Sequence, residues 1–98
     1  MNKKKVIEAA EAIQKILETH PGGFPNPAAV AAIKNHTQFI IGESAENGRI
    51  DQLADGIEEF SEILYSARKH KKHQGGAEAY EAFIRQDADR IIQMLRNG

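Results

Sequence analysis

Four histidines, His20, His36, His70 and His73, carry the chemistry that is easiest to weigh against spacing. His70 and His73 are three residues apart, so on a helix they share a face and could hold a metal ion. Two ligands are too few, and the chain has no cysteine to add others. No glutamate stands three residues before a histidine, so the inward Glu-x-x-His pattern of di-iron bundles is missing. The pair sits instead within Arg68-Lys69-His70-Lys71-Lys72-His73. That run reads as a solvated basic helix end, where cations complement the negative pole of the macrodipole. His20, beside Pro21, reads as the last polar residue of a helix. His36 falls near an apolar helical face, which predicts a partly buried ring hydrogen-bonded to a neighbour rather than a general base.

Catalytic sets fare no better. Ser44, Ser61 and Ser66 lack the special turn that presents a nucleophile. Gly22-Gly23 has no strand before it and no Gly-Lys-Ser/Thr ending, so it is not a phosphate loop. The paired acids Glu58-Glu59, Glu43 with Glu46, and Asp87 with Asp89 read as solvated faces. Asp87 is the exception, because its spacing from Tyr80 and Ile84 brings it near an apolar seam. A carboxylate there needs a partner, and Arg49, Arg85 or Arg90 is expected to provide a structural ion pair. No catalytic, cofactor-binding or metal-ligating residue is assigned, and an enzyme is not expected.

Two features remain as candidate contacts. The cluster Arg68, Lys69, His70, Lys71, Lys72 and His73 could displace counterions from a phosphate backbone. Against nucleic acid stand a sequence pI near 6.4, no interleaved aromatics, and an acidic helix where a recognition helix would fall. Phe24 lies between Gly23 and Pro25 in an otherwise polar connection. It is expected to plug the open end of the core, with a partner anchor as the functional alternative.

Helices must position all of these groups. Val6, Ala10, Ile13 and Leu17 recur at spacings of four and three, with Ala9 and Ile16 beside them, over roughly Lys3 to Thr19. His20 to Pro27 then holds three prolines and two glycines, which end the helix. Asn26 as N-cap and Pro27 at the first helical position restart it. Ala29, Val30, Ile33, Thr37, Ile40 and Ile41 form the second face, with Gly42 and, more strongly, Asn47-Gly48 as stops. Ile50, Leu53, Ile57, Phe60, Leu64 and Ala67 alternate three and four as a coiled-coil seam. The last helix, about Ala77 to Arg96, carries Tyr80, Phe83, Ile84, Ile91, Ile92 and Leu95, interrupted by Asp87-Ala88-Asp89. There is no strand-like alternation and no internal repeat.

The expected fold is all-α: an antiparallel, up-down four-helix bundle, two shorter helices followed by two longer ones of near 20 residues or about 30 Å. A chain of 98 residues forms one domain, 1–98. Its 13 basic and 14 acidic residues leave a net charge of -1, which gives no reason to expect nucleic acid or membrane as an obligatory partner. The longest apolar run, Ala28 to Ile33, falls far short of the about 20 residues of a membrane span. Glu8 and Glu11 interrupt the stretch after Lys3-Lys4-Lys5, so no secretory signal is expected. Absence of cysteine is compatible with a reducing cytoplasm.

Unequal helix lengths and the acidic middle of the last helix predict apolar surface left near Leu53, Ile57 and Phe60, or around Ile91 and Leu95. A homodimer would cover it. From Glu43 to Glu62 there are seven acids (Glu43, Glu46, Asp51, Asp55, Glu58, Glu59, Glu62) and one base, Arg49. The basic run follows, so the third helix is acidic at its start and basic at its end. The expected function is a non-enzymatic protein–protein interaction module of adaptor, chaperone or inhibitor type. The alternative is a nucleic-acid-associated protein that uses Arg68 to His73.

Overall fold

The computed structural model describes residues 1–20, 22, 24–44, 48–66 and 76–97. They form four α-helices: α1 (Lys3–Thr19), α2 (Pro27–Glu43), α3 (Gly48–Leu64) and α4 (Gly76–Asn97), and no strand occurs among them. The fold class read from the 3–4 periodicity is the one observed. Each start has a local cause. The Asn2 side chain accepts the Lys5 N–H at 3.1 Å, and Asn26 accepts the Ala29 N–H at 3.1 Å with Pro27 opening α2. Gly76 opens α4 at φ 53°, a left-handed conformation that a side chain would resist.

Helix α1 packs against α2 and α4, and α3 packs against α2 and α4, so the helices form a four-cornered bundle. Side-chain contacts fix the sense of three pairs. Thr37 and Ser44 of α2 meet Glu58 and Asp51 of α3, so the sequence numbers run in opposite directions. Gln14 and Glu11 of α1 meet Asp89 and Arg96 of α4 in the same inverted order. Across α3–α4, Gly56 lies beside Asp87 and Phe60 beside Tyr80.

The core is aliphatic. Val6, Ala10, Ile13, Ile33, Ile40, Ile50, Ile57, Leu64, Ile84, Ala88 and Ile91 are fully buried. Thr37 is buried with them, its hydroxyl 3.0 Å from the Lys34 carbonyl oxygen and 3.1 Å from Glu58 Oε1. Both neighbours accept, so the single proton serves one at a time. Ser44, also buried, lies 2.7 Å from the Ile40 carbonyl and 2.5 Å from Asp51 Oδ1. These bonds tie α2 to α3 and satisfy groups that would otherwise be costly inside.

Several expectations need correction. Helices α1, α2 and α3 each have 17 residues and only α4, with 22, is longer. Helix α3 closes at Leu64, where the Tyr65 and Ser66 N–H groups bond the Ser61 and Ile63 carbonyls. Ala67, assigned to its seam, lies outside the described residues. Gly42 stays helical, and Gly48 begins α3 instead of ending α2. The seam is also rotated. Ala54 and Ser61 are buried, while Phe60 is only half-buried at the rim. Ala88 fills the gap that Asp87 and Asp89 had suggested, and Leu53, Ile57, Ile91 and Leu95 are all covered within one chain. The uncovered seam invoked for a dimer is therefore absent.

Candidate functional site

Chemistry-bearing side chains mostly serve the fold. Ser61 donates to the Glu58 carbonyl of its own helix at 2.7 Å, and the one Ser44 hydroxyl proton serves either the Ile40 carbonyl or the Asp51 carboxylate. Among the described residues no group of three or more His, Asp or Glu side chains is placed to hold a metal ion. His20 is exposed, its Nδ1 3.4 Å from Asn26 Nδ2, and its carbonyl accepts the Tyr65 hydroxyl at 3.0 Å. Burial pushes the Tyr65 phenol above its ordinary range, with Glu81 adding to the rise and Arg85 opposing it. The phenol thus stays a neutral donor that ties the α1–α2 connection to the end of α3.

His36 is half-buried, as expected, but it makes no hydrogen bond among the described residues. It lines a shallow groove of about 380 Å³ between α1 and α2, with Lys5, Glu8, Ala9, Ala12 and Phe39. The basic cluster Arg68, Lys69, His70, Lys71, Lys72 and His73 lies outside the described residues.

Asp87 is half-buried beside α3, where Gly56 has no side chain to cover it. Burial raises its carboxyl above the ordinary range, while Arg90 and then Arg49 pull it down. Two of the three arginines named from sequence thus act on it through charge, but neither stands at ion-pair distance, so the expected structural ion pair does not form. Arg85 turns to α1 and its own helix instead, 3.9 Å from Glu18 and 3.4 Å from Glu81. A raised carboxyl binds its proton more tightly in the folded state. Its contribution to stability therefore falls as pH rises from about 4 through the folded value. Asp87→Asn is expected to be neutral or stabilising at pH 7, by less than about 1 kcal/mol because the site is screened by solvent. That advantage should vanish in urea titrations below about pH 4, where the parent is protonated as well. A variant markedly less stable at pH 7 would show that the arginines outweigh burial.

Exposed aromatics are the feature left without a structural duty. Phe24 is 70% exposed, so it does not plug the core. Phe39 is 39% exposed on α2 and Phe83 42% exposed on α4. Phe83 belongs to a cluster: its ring centroid is 5.3 Å from Phe60 and 5.8 Å, edge-on, from Tyr80, which is 5.9 Å from Phe60. Spacing assigns all three rings to the core: Tyr80 is buried there, whereas Phe60 and Phe83 form an open side that spacing does not reveal. Adjacency gives no signal: Phe83 precedes the core residue Ile84, but Ile91 and Ile92 are equally adjacent and both buried. Acids occupy the outward side of α3, where Asp55, Glu59 and Glu62 are exposed. The exposed cations of the α3–α4 side, Arg49 and Arg90, lie at the other end of the ring cluster's face.

Comparison of the chain with protein-family models, with curated proteins and with solved structures gives no match.

Proposed function

We propose that the protein is a non-enzymatic interaction module, of adaptor, chaperone or inhibitor type, that works as a homodimer and engages another protein. One observation carries the reading: a bundle that closes its own seam still leaves Phe24, Phe39 and Phe83 exposed. Aromatic side chains at the surface add large apolar area for little ordering entropy, which is what contact sites use. Phe24 is the anchor for the second protein, since it projects from the α1–α2 connection and contributes nothing to the core. A cytoplasmic setting goes with this reading and agrees with the cysteine-free composition.

Immobilised protein is expected to retain a specific partner from lysate, and Phe24→Ala is expected to lower the retained amount at least about tenfold, as for a hot-spot residue. The melting temperature should not change. Equal capture by parent and variant would overturn Phe24 as the anchor. Salt-sensitive retention on DNA, lost when Lys69 and Lys71 are neutralised, would replace the reading with the nucleic-acid alternative. Otherwise those two changes should leave partner binding intact and shift stability by less than about 1 kcal/mol.

A further inference from the structure

We infer that Arg49 of α3 and Arg90 of α4 hold a small amphipathic oxyanion, a carboxylate or phosphate carried on a short apolar chain, in the cavity between them. Arg49, Gln86, Asp89, Arg90, Gln93 and Met94 line this space of about 610 Å³. Small-ligand sites typically enclose about 300–1,000 Å³. From Gln86 to Gln93 the cavity follows two turns of α4, ~10 Å. Met94, partly buried against the core, supplies an apolar floor. The methylene stems of the arginines and glutamines add apolar wall beneath their polar heads.

Unused donors select an oxyanion as the occupant. Of the arginines among the described residues, Arg85 has Glu18 and Glu81 as carboxylate partners and Arg96 has Glu11. Arg49 and Arg90 make no ion pair or hydrogen bond among the described residues, and these two reach the cavity. They come from different helices to one place, since both act on the Asp87 carboxyl. Gln86 and Gln93 are likewise without a bond among the described residues. The site thus offers two guanidiniums and two carboxamides, in which donors outnumber acceptors, so a matching ligand brings acceptors. The nearby carboxylates leave that capacity open. Asp89 takes the Gln14 carboxamide at 2.7 Å, and Asp87 stands beside Gly56 beyond ion-pair distance of either arginine. Asp87 and Asp89 also offset the two positive charges at a distance, so direct bonds hold the ligand and not a net field. A planar guanidinium suits that task, because it bonds an oxyanion through two parallel N–H groups. An apolar chain on the anion covers Met94, which a bare inorganic ion leaves wet.

Amide-shift titrations by NMR test the site in the full chain. Octanoate and octyl phosphate are the probes, with octylammonium, acetate and inorganic phosphate for comparison. At least one of the two probes is expected to bind with a Kd of about 1 mM or below, moving the amides of Arg49 and of residues 86–94. The one that binds more tightly tells a carboxylate site from a phosphate site. Octylammonium, acetate and inorganic phosphate should bind there at least about tenfold more weakly. Arg49→Gln and Arg90→Gln replace exposed side chains, and circular dichroism confirms that the variants are folded. Each should weaken the better probe at least about threefold, and both together at least about tenfold. Arg96→Gln, which removes the partner of Glu11 outside the cavity, should leave the affinity within about twofold. Failure of both probes to bind, or an affinity unchanged in the double arginine variant, overturns the site. Octylammonium binding as tightly would reduce it to apolar adhesion, and acetate or inorganic phosphate binding as tightly would remove the apolar chain; either result overturns it. So does an affinity that falls as protein concentration rises, since a second copy would then fill the cavity.

Discussion

Ile57→Ala is expected to lower the stability of the fold by about 2–5 kcal/mol, as truncation of a fully buried aliphatic does. Ile57 is 0% exposed and sits midway along α3, the helix that packs against both α2 and α4. Its removal loses transfer free energy and leaves a cavity that the surrounding isoleucines close only in part. For a domain of this size each kcal/mol corresponds to roughly 4–8 °C of melting temperature, so the midpoint should fall by at least about 8 °C. Phe60→Ala is the control. The larger side chain is half-buried between the buried Tyr80 ring and the exposed Phe83 ring, so its loss should cost about 1–2 kcal/mol. Thermal melts followed at 222 nm compare the two. An Ile57→Ala variant less affected than Phe60→Ala would mean that α3 turns its seam the other way.

That ordering inverts the expectation from residue size alone, and the inversion shows where sequence reading stops. The 3–4 spacing identified four helices and most core positions, because a helix of period 3.6 brings those residues onto one face. It placed Val6, Ala10, Ile13 and Leu17 correctly, and Asn26-Pro27 announced the start of α2 through its own capping chemistry. Spacing does not say how far an apolar stripe is rotated toward one neighbour. In α3 the partners are α2 on one side and α4 on the other, and that choice buries Ala54 and Ser61 while Phe60 goes to the rim. In α4 the interruption by Asp87 and Asp89 looked like a defect, yet Ala88 between them is fully buried. Small residues carry little signal in a hydrophobicity pattern but fill the narrow space where helices approach.

The contact surface was legible only in fragments for the same reason. Phe83 and Ile84 are neighbours about 100° apart on the helix, and such a pair can share the core, as Ile91 and Ile92 do, or split between core and rim, as Phe83 and Ile84 do. Which of these happens depends on the helices packed around the pair. Sequence spacing offers Arg49 and Arg90 to Asp87 as ion-pair partners, but with α3 and α4 packed together both act on its carboxyl through charge without closing a pair. The α1–α2 connection is similar. Its prolines and glycines declared a break, while the bonds from Tyr65 to His20 and from Asn26 to Tyr65 needed the end of α3 to arrive beneath it.

Gly22→Ala should measure how tightly that connection is held. Alanine at an unstrained loop position ordinarily stabilises by about 0.4–1 kcal/mol, because it restricts the unfolded chain. Here the opposite sign is expected. A Cβ at position 22 would stand 2.3 Å from Leu64 Cδ1 and 3.0 Å from Leu64 Cγ, and 3.5 Å from the Ala77 Cβ. Leu64 is fully buried at the last turn of α3, so its side chain has no empty space to swing into. Either Leu64 leaves its preferred rotamer or the connection lifts, and lifting strains the 3.0 Å bond from the Tyr65 hydroxyl to the His20 carbonyl. Overpacking of this kind costs about 1–3 kcal/mol. A double-mutant cycle separates this contact from any general sensitivity of the loop. Leu64→Ala alone should cost about 2–5 kcal/mol. Combined with Gly22→Ala, the loss should be at least about 1 kcal/mol smaller than the two single losses added together, because the new methyl occupies part of the vacated space. Strict additivity would mean that Gly22 does not make room for Leu64, and a Gly22→Ala variant more stable than the parent would mean that the connection stands clear of the bundle.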